Sequence, residues 1–204
     1  VGANGCSAAI VSWYLPTRSL QGAWARQTAM IATLRQELTW KLAQSSTLQP
    51  EEQRLWEAVE FEELDPKVLL LWCVWQDLLR LGCEYTIIGG DANTTPPGLH
   101  LARSSAQVRQ EDIKDTEAME RFCERLQLVE PYRALGHQEV PKTWNGRGER
   151  TGQWSWIDYF LVSSTMVQRG LVVKTAVVID FAESTDHAAV YLDVDMANML
   201  GQSD

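Results

Sequence analysis

YTIIGGDANTTPPG, from Tyr85 to Gly98, is an apolar run that stops at two glycines and then presents an aspartate and an asparagine two positions apart. The β-branched and aromatic residues before the glycines predict a buried strand. If the chain stays extended past Gly90, the side chains of Asp91 and Asn93 point the same way. Aspartate and asparagine also favour turns, so this segment alone predicts a strand exit, with a phosphate-cleaving site as the alternative.

Two further segments nearer the end of the sequence place polar residues in or beside apolar strands. Asp158 lies in WSWIDYFLVS (154–163), where a carboxylate among apolar neighbours needs a partner. Asp186 and His187 lie in STDHAAVYLDV (184–194), just before another predicted strand. A histidine ring needs an acceptor on one nitrogen to fix its tautomer, and Asp158 is a candidate for that acceptor. Asp186 could then hold a cation while His187 faces a phosphate.

The rest of the chain mixes helical and strand patterns without a repeat. Apolar spacing predicts helices over 21–45, from Pro50 to about 64, over 67–81 with a stop at Gly82, and over 115–128 with Asp115 as a candidate N-cap. Strands are predicted over 8–15, 143–146, 155–163, 171–180 and 188–194. This order of elements predicts an α/β or α+β domain.

Composition limits the class of protein. The chain has 204 residues, of which 45% are apolar, enough for one domain with one core. A net charge of −9 argues against a non-specific coat on nucleic acid, but it allows a local basic groove. Four scattered cysteines predict reduced thiols. The longest apolar stretch, Val68–Trp75, is too short to span a bilayer, and with no targeting segment visible we expect an intracellular protein, nuclear or cytoplasmic, without a membrane partner.

Taken in order, three segments resemble the endonuclease/exonuclease/phosphatase superfamily, whose members include apurinic endonucleases, DNase I-like enzymes and retroelement endonucleases. They are GDAN (90–93), WIDYFLVS (156–163) and TDHAAV (185–190). VSWYLPT (11–17), the helix leading to PYR (115–133) and KTWN (142–145) resemble further family segments, with retroelement-type endonucleases most similar. The resemblance implies a DNase I-like two-sheet sandwich flanked by helices over 1–204, with a helical insertion at 46–82.

The resemblance also implies a metal-dependent phosphodiesterase with roles for five residues. Asp91 would orient or deprotonate the attacking water. Asn93 and Tyr14 would contact the scissile phosphate. His187, oriented by Asp158, would stabilise charge on the phosphate oxygens.

Metal and substrate contacts follow from the same resemblance. Asp186 would bind Mg²⁺ or Mn²⁺, since hard oxygen ligands suit these ions, and Trp144 would contact the substrate. The family's arginine before the Asp158 strand is replaced here by Trp156, and Arg147 and Arg150 on the preceding loop are candidates to replace its charge.

One part of the family pattern has no counterpart. The family's metal site also takes an asparagine and a glutamate from strands before the Y-x-P strand, and nothing before Val11 matches them. The resemblance therefore implies an N-terminally incomplete domain. We expect this chain by itself to cleave poorly or not at all, because a single carboxylate binds Mg²⁺ weakly.

Three functions remain open from the sequence. The first is a nuclease, with DNA as the expected substrate and RNA or a small phosphoester as alternatives. The second is a phosphatase of lipid or inositol phosphates in the same superfamily. The third is an inactive remnant that serves as an interaction module and docks through the helix VLLLWCVWQDLL (68–79). The oligomeric state is also open.

Overall fold

The computed structural model describes residues 7–15, 66–99, 110–178 and 185–201, together with positions 32, 33, 36, 39, 40 and 43. The chain divides into two compact units, one formed by Val1–Leu15 with Leu71–Asp204 and the other by Pro16–Leu70. The six single positions are helical, as predicted for 21–45. The remainder of that helix, and the helix predicted from Pro50, lie outside the described residues.

The described elements mix helices and strands without a repeat, as the sequence predicts. In chain order they are β1 (Ala8–Tyr14), α1 (Pro66–Leu81), β2 (Tyr85–Asp91), α2 (Gln110–Leu126), β3 (Leu128–Val129), α3 (Pro131–Ala134), β4 (Trp144–Asn145), a 3-10 turn (Gly148–Arg150), β5 (Trp154–Ser155), β6 (Asp158–Ser163), α4 (Ser164–Gln168), β7 (Val172–Val178), β8 (Ala189–Val194) and α5 (Met196–Met199).

The central sheet has the strand order β1-β2-β6-β3. Strand β1 runs parallel to β2, and β6 runs antiparallel to both β2 and β3. In this register Tyr14 pairs with Asp91, and Asp91 pairs with Asp158. Residues directly opposite one another in a sheet share a face, so three predicted site residues form one row across the end of the sheet.

The same face of the central sheet packs against the antiparallel β7–β8 sheet. Val172 of β7, with Leu192 and Val194 of β8, contacts the apolar cluster that contains Tyr85, Ile87 and Val162. Met166, Leu171 and Met199 complete the buried part of this cluster. Two sheets therefore pack face to face, and the mixed α/β fold predicted from the sequence is the observed one.

Helix α2 packs on the opposite face of the central sheet. The Trp13 ring lies 6.2 Å from that of Phe122 in the helix and 6.3 Å from that of Tyr159 in β6. Helix α2 buries Ala118, Met119, Phe122 and Cys123. Cys123 is a free thiol, and burial raises its pKa to about 12.

Two element boundaries differ from the prediction. Helix α2 begins at Gln110, so Asp115 lies inside the helix and is buried, and its prediction as the N-cap is wrong. The helix extends upstream because Gln, Glu and Lys are good helix formers. The single strand predicted over 155–163 is instead divided into β5 and β6, because the amides of Ile157 and Asp158 bind a side chain, Thr143 Oγ1, in place of a strand partner.

Helix α1 ends where the sequence predicts. Gly82 follows its last residue, Leu81, with a φ of +58°, a conformation that favours glycine and closes helices. Leu78 near this end is buried, whereas Leu79 and Leu81 are exposed. None of the helices in the described part of the chain combines the length and apolar character needed to cross a membrane.

Gly90 is required where β1, β2 and β6 meet. Its φ is +138°, and an added Cβ would lie 2.2 Å from the carbonyl oxygen of Trp13. We expect Gly90→Ala to lower the free energy of unfolding by about 2–4 kcal/mol, through backbone strain and overpacking. Chemical denaturation measures this change. Gly98→Ala is the matched control, because Gly98 also has a positive φ of +73° but has nothing within 4 Å of its Cβ position. Equal losses in both variants would contradict the steric explanation.

Candidate active site

Asp91, Asp158 and His187 meet at one end of the central sheet. Asp91 ends β2, Asp158 begins β6 directly opposite it, and His187 comes from the segment before β8. Each residue offers one ligand atom, and these atoms lie within 4.8 Å of one another. The roles that the family resemblance implies for these three residues require them to lie close together, and the structure places them so.

The predicted bond between Asp158 and His187 is present. Nδ1 of His187 lies 3.0 Å from Oδ2 and 3.1 Å from Oδ1 of Asp158. The Asp158 side chain is 11% exposed and that of His187 is 34% exposed. The aspartate is therefore nearly buried, whereas the histidine is partly open to solvent. The hydrogen bond to Asp158 raises the pKa of His187, and burial opposes this effect. Because Nδ1 faces Asp158, Nε2 is the nitrogen left for a substrate.

The carboxyl of Asp91 has a raised pKa. Burial is the main cause, and the nearby charge of Asp158 adds to it. A hydrogen bond from the backbone amide of Asn93 and the charge of His187 act in the opposite direction. A carboxylate with a raised pKa accepts a proton more readily than an ordinary aspartate, which suits a general base.

Asn93 does not continue the strand, so the strand exit that this segment alone predicts is the observed conformation, and the extended alternative is not. Its φ is +48°, a turn conformation that asparagine tolerates. The Asn93 amide N donates to Asp91 Oδ1 at 2.8 Å, and Nδ2 donates to Asp91 Oδ2 at 3.0 Å. The same Nδ2 donates to the carbonyl of Leu15 at 2.7 Å. Asn93 therefore fixes the Asp91 carboxylate against the end of β1.

Tyr14 lies beside Asp91 as the last residue of β1. The two residues are paired in register, and Tyr14 is 63% exposed. Its side chain therefore shares the face of the sheet that carries both aspartates and is open to solvent. This position is compatible with the predicted contact to a phosphate.

Strand β4, which begins with Trp144, lies beside the Asp186–His187 segment and is hydrogen-bonded to it. Trp144 forms an antiparallel bridge with His187, and the Asn145 amide donates to the Asp186 carbonyl at 2.9 Å. The indole Nε1 of Trp144 donates to Asp186 Oδ2 at 3.0 Å. Trp144 thereby holds the Asp186 carboxylate, which is predicted to bind metal. The contact of Trp144 with the substrate stays a prediction.

Basic groups surround the hairpin formed by β4 and β5. The Arg150 guanidinium lies 5.4 Å from the centre of the Trp144 ring, and the Lys142 ammonium lies 5.3 Å from that of Trp154. Arg147 donates to the carbonyl of Thr185. A chain of net charge −9 thus carries a local basic region beside the site.

Trp156, at the position of the family's arginine, is a core residue. It is 1% exposed and makes an edge contact with the Tyr132 ring at 5.7 Å. No charge replaces the arginine at that position itself. The nearest predicted replacements, Arg147 and Arg150, lie at the hairpin described above.

Thr143 is a residue of the site that the sequence did not predict. Its hydroxyl accepts hydrogen bonds from the backbone amides of Ile157 and Asp158, at 2.9 Å each. The only signal in the sequence was a hydroxyl residue directly before Trp144 in KTWN, which predicted a strand and no more.

The donors present at the site suit a divalent cation. Asp91, Asp158 and His187 bring two carboxylates and an imidazole together, a set that could hold an ion. Asp186 is not one of the three residues of this cluster, and one oxygen of its carboxylate accepts from Trp144 Nε1. Oxygen ligands of this kind are the ones that Mg²⁺ and Mn²⁺ prefer.

No protein-family model and no curated protein matches the chain. Among solved structures it is similar to the endonuclease domain of TRAS1, a telomere-specific non-LTR retrotransposon, with 16% identity and a TM-score of 0.46 over 62% of this chain and 51% of that one. It is also similar to the 3'-5' exonuclease NExo from Neisseria meningitidis, with 18% identity and a TM-score of 0.48 over 72% and 56%.

A third similar structure is the AP endonuclease LMAP from Leishmania major, with 22% identity and a TM-score of 0.42 over 52% of this chain and 34% of that one. The chain thus spans between 34% and 56% of the length of the three proteins.

Proposed function

We propose that this protein hydrolyses phosphodiester bonds of nucleic acid with the help of a divalent cation. One observation carries the proposal, namely the row of Asp91 and Asp158 across the sheet with His187 bound to Asp158. A phosphodiester is anionic and resists attack, so its cleavage needs a base, a donor for developing negative charge and a cation. The row supplies the first two.

Asp91 is the proposed base, with Asn93 as its orienting partner. The raised pKa of Asp91 favours uptake of a proton from an attacking water. Both hydrogens of the Asn93 Nδ2 group are directed at acceptors, one at Leu15 and one at Asp91. The main proposed role of Asn93 is therefore to orient the Asp91 carboxylate. Its Nδ2 group could donate to a phosphate only after one of these two hydrogen bonds breaks.

His187 is the proposed donor to the phosphate oxygens. Its hydrogen bond to Asp158 raises its pKa, so that a larger fraction of the ring is protonated near neutral pH. A protonated ring held through Nδ1 directs its Nε2 hydrogen at the substrate. Tyr14, in register with Asp91 and exposed, is placed for a second contact to the same phosphate.

Asp186 is the proposed metal ligand, and the carboxylates of Asp91 and Asp158 offer further oxygen donors at the site. The cation, when bound, would neutralise charge on the phosphate and assist the attacking water. Trp144 would keep the Asp186 carboxylate in place through its indole hydrogen bond.

DNA is the proposed substrate, contacted through the basic hairpin. Lys142, Arg147 and Arg150 are exposed on or beside β4 and β5. Lys142 lies over the ring of Trp154, and Arg150 lies over that of Trp144. Cationic groups together with aromatic rings bind nucleic-acid backbones and bases. These positive charges provide a surface that can bind a polyanion, although the chain as a whole is acidic.

The proposal predicts metal-dependent nicking of supercoiled DNA by the full gene product. We expect cleavage with Mg²⁺ or Mn²⁺, none with EDTA, and loss of the metal-dependent cleavage in Asp186→Ala. Asp193→Ala is the matched control, because Asp193 is an exposed carboxylate on β8 and should leave cleavage unchanged.

Three outcomes would contradict the proposal. They are absence of cleavage of both DNA and RNA, cleavage that persists in EDTA, and metal-dependent cleavage that Asp186→Ala leaves unchanged. Hydrolysis of phosphomonoesters without any nicking would replace the nuclease with a phosphatase.

A further inference from the structure

Thr143 connects the two segments that carry Asp158 and His187. The residue is fully buried and directly precedes β4. Its Oγ1 lies 2.9 Å from the amide nitrogens of both Ile157 and Asp158, which donate to it, and 3.5 Å from the carbonyl oxygen of Ser155. One hydroxyl therefore serves two consecutive amides at the point where the chain enters β6.

The main chain of Thr143 reaches the other segment. Its amide donates to the carbonyl of Ser155 at 3.0 Å, and its carbonyl accepts from the amide of Ala188 at 2.7 Å. Ala188 directly follows His187. Trp144, the residue after Thr143 and the first of β4, forms a bridge with His187. The side chain of Thr143 thus fixes the Asp158 segment while its backbone fixes the His187 segment.

We propose that Thr143 is a positioning residue that sets the geometry between Asp158 and His187. Its importance for the reaction rests on the proposed function, whereas its effect on the geometry does not. The bond between His187 and Asp158 joins residues 29 positions apart in the sequence. Thr143 is hydrogen-bonded to the amide of Asp158 and to that of Ala188, which directly follows His187, so one residue holds both backbones.

The two amides distinguish this threonine from an ordinary core threonine. A buried hydroxyl that only donates to one carbonyl can be replaced by a methyl with the loss of a single bond. Replacing the Thr143 hydroxyl leaves two adjacent buried donors without an acceptor, and buried donors are rarely left unpaired. The start of β6 would therefore shift to find other acceptors and carry Asp158 with it.

Thr143→Val tests the proposal, because valine keeps the shape and removes the hydroxyl. Amide hydrogen exchange at Ile157 and Asp158 should become at least about tenfold faster. The NMR signal of the His187 Nδ1 hydrogen should shift as its bond to Asp158 changes. In the cleavage assay we expect kcat to fall by about 10- to 100-fold with KM nearly unchanged. Thr143→Ser, which keeps the hydroxyl, should restore all three properties.

Thr175→Val is the matched control. Thr175 is likewise buried, and its hydroxyl donates to a single carbonyl, that of Tyr191, in the β7–β8 sheet. This variant should leave the amides of Ile157 and Asp158, the His187 signal and kcat unchanged. If Thr143→Val fails to fold, Thr143→Ser and Thr143→Ala are compared by the same exchange and NMR measurements.

The outcomes separate this proposal from the proposed function. Unchanged exchange at Ile157 and Asp158 in Thr143→Val, or a His187 signal that moves no more than in Thr175→Val, would overturn the positioning role. If the full gene product cleaves nothing, the proposed function fails, but the exchange and NMR results still decide whether Thr143 sets the Asp158–His187 geometry.

Discussion

Replacing Asp158 with asparagine is expected to lower the rate of phosphodiester cleavage by about 10²- to 10³-fold, because His187 loses the charge that keeps its ring protonated and oriented. Asparagine can still accept the Nδ1 hydrogen of His187 through its one oxygen. It cannot provide the second oxygen or the negative charge that now lie 3.0 and 3.1 Å from that nitrogen. Single-turnover kinetics on nucleic acid measures the loss.

The same variant should change how stability depends on pH. The folded pKa of His187 is raised above its ordinary value of 6.5, chiefly by the hydrogen bond to Asp158. A raised histidine pKa contributes stability that is fully present below pH 6.5 and is lost as the pH rises through the folded pKa. The wild type should therefore exceed Asp158→Asn in free energy of unfolding mainly on the acidic side of that range. NMR titration should show a lower His187 pKa in the variant.

Asp195→Asn is the matched control for a carboxylate changed to an amide. Asp195 caps α5 by accepting from the Asn198 amide, and it should affect stability without touching cleavage or the His187 pKa. An Asp158→Asn variant with wild-type turnover and an unchanged His187 pKa would show that the pair has no catalytic role.

Local pattern was sufficient to predict which polar residues meet. Asp91 follows one apolar run, Asp158 lies within a second and His187 precedes a third, so polar residues were predicted at the ends or on the faces of strands. Strands of one sheet can bring such residues together. The bond from His187 to Asp158 followed from the need of a buried carboxylate for a donor. These inferences were possible because apolar alternation, and a glycine that ends a strand, can be recognised within a short segment of sequence.

Other features depend on contacts between distant segments, and the sequence did not predict them. Asn93 turns back because the Leu15 carbonyl and the Asp91 carboxylate are both within reach of its side chain. Thr143 becomes part of the site because the chain leaves the strand at Trp156 and Ile157, directing two amides at one hydroxyl. The spacing of residues within one segment predicts neither arrangement, because each depends on how distant strands are paired.

The two paired aspartates have different partners and therefore different tasks. Asp158 accepts from an imidazole nitrogen, whereas Asp91 accepts from the backbone and side-chain amides of Asn93. Burial raises the pKa of Asp91 despite these amide bonds, so its ionised form is held at some cost to the fold. A group held at such a cost in a solvent-accessible site is a candidate for catalysis.

Asp91→Asn is expected to reduce cleavage by about 10²- to 10⁴-fold, the usual contribution of a general base. Asparagine keeps an oxygen for the Asn93 backbone amide but cannot accept a proton from water. Nucleic-acid binding, followed by fluorescence anisotropy, should be equal or tighter, because a negative charge near the phosphate is removed. The wild-type rate should fall as the pH drops through the raised pKa of Asp91, above its ordinary 3.8, and the residual rate of the variant should lack this fall.

Stability provides an independent check on the same residue. A carboxyl with a raised folded pKa costs the fold stability as the pH rises from 3.8 through that pKa, and Asp91→Asn should not show this loss. The free energy of unfolding of the variant should therefore decline less between acid and neutral pH than that of the wild type. Asp193→Asn, on the exposed side of β8, should match the wild type in both measurements. Wild-type turnover in Asp91→Asn would rule out Asp91 as the base, whatever the stability profile shows.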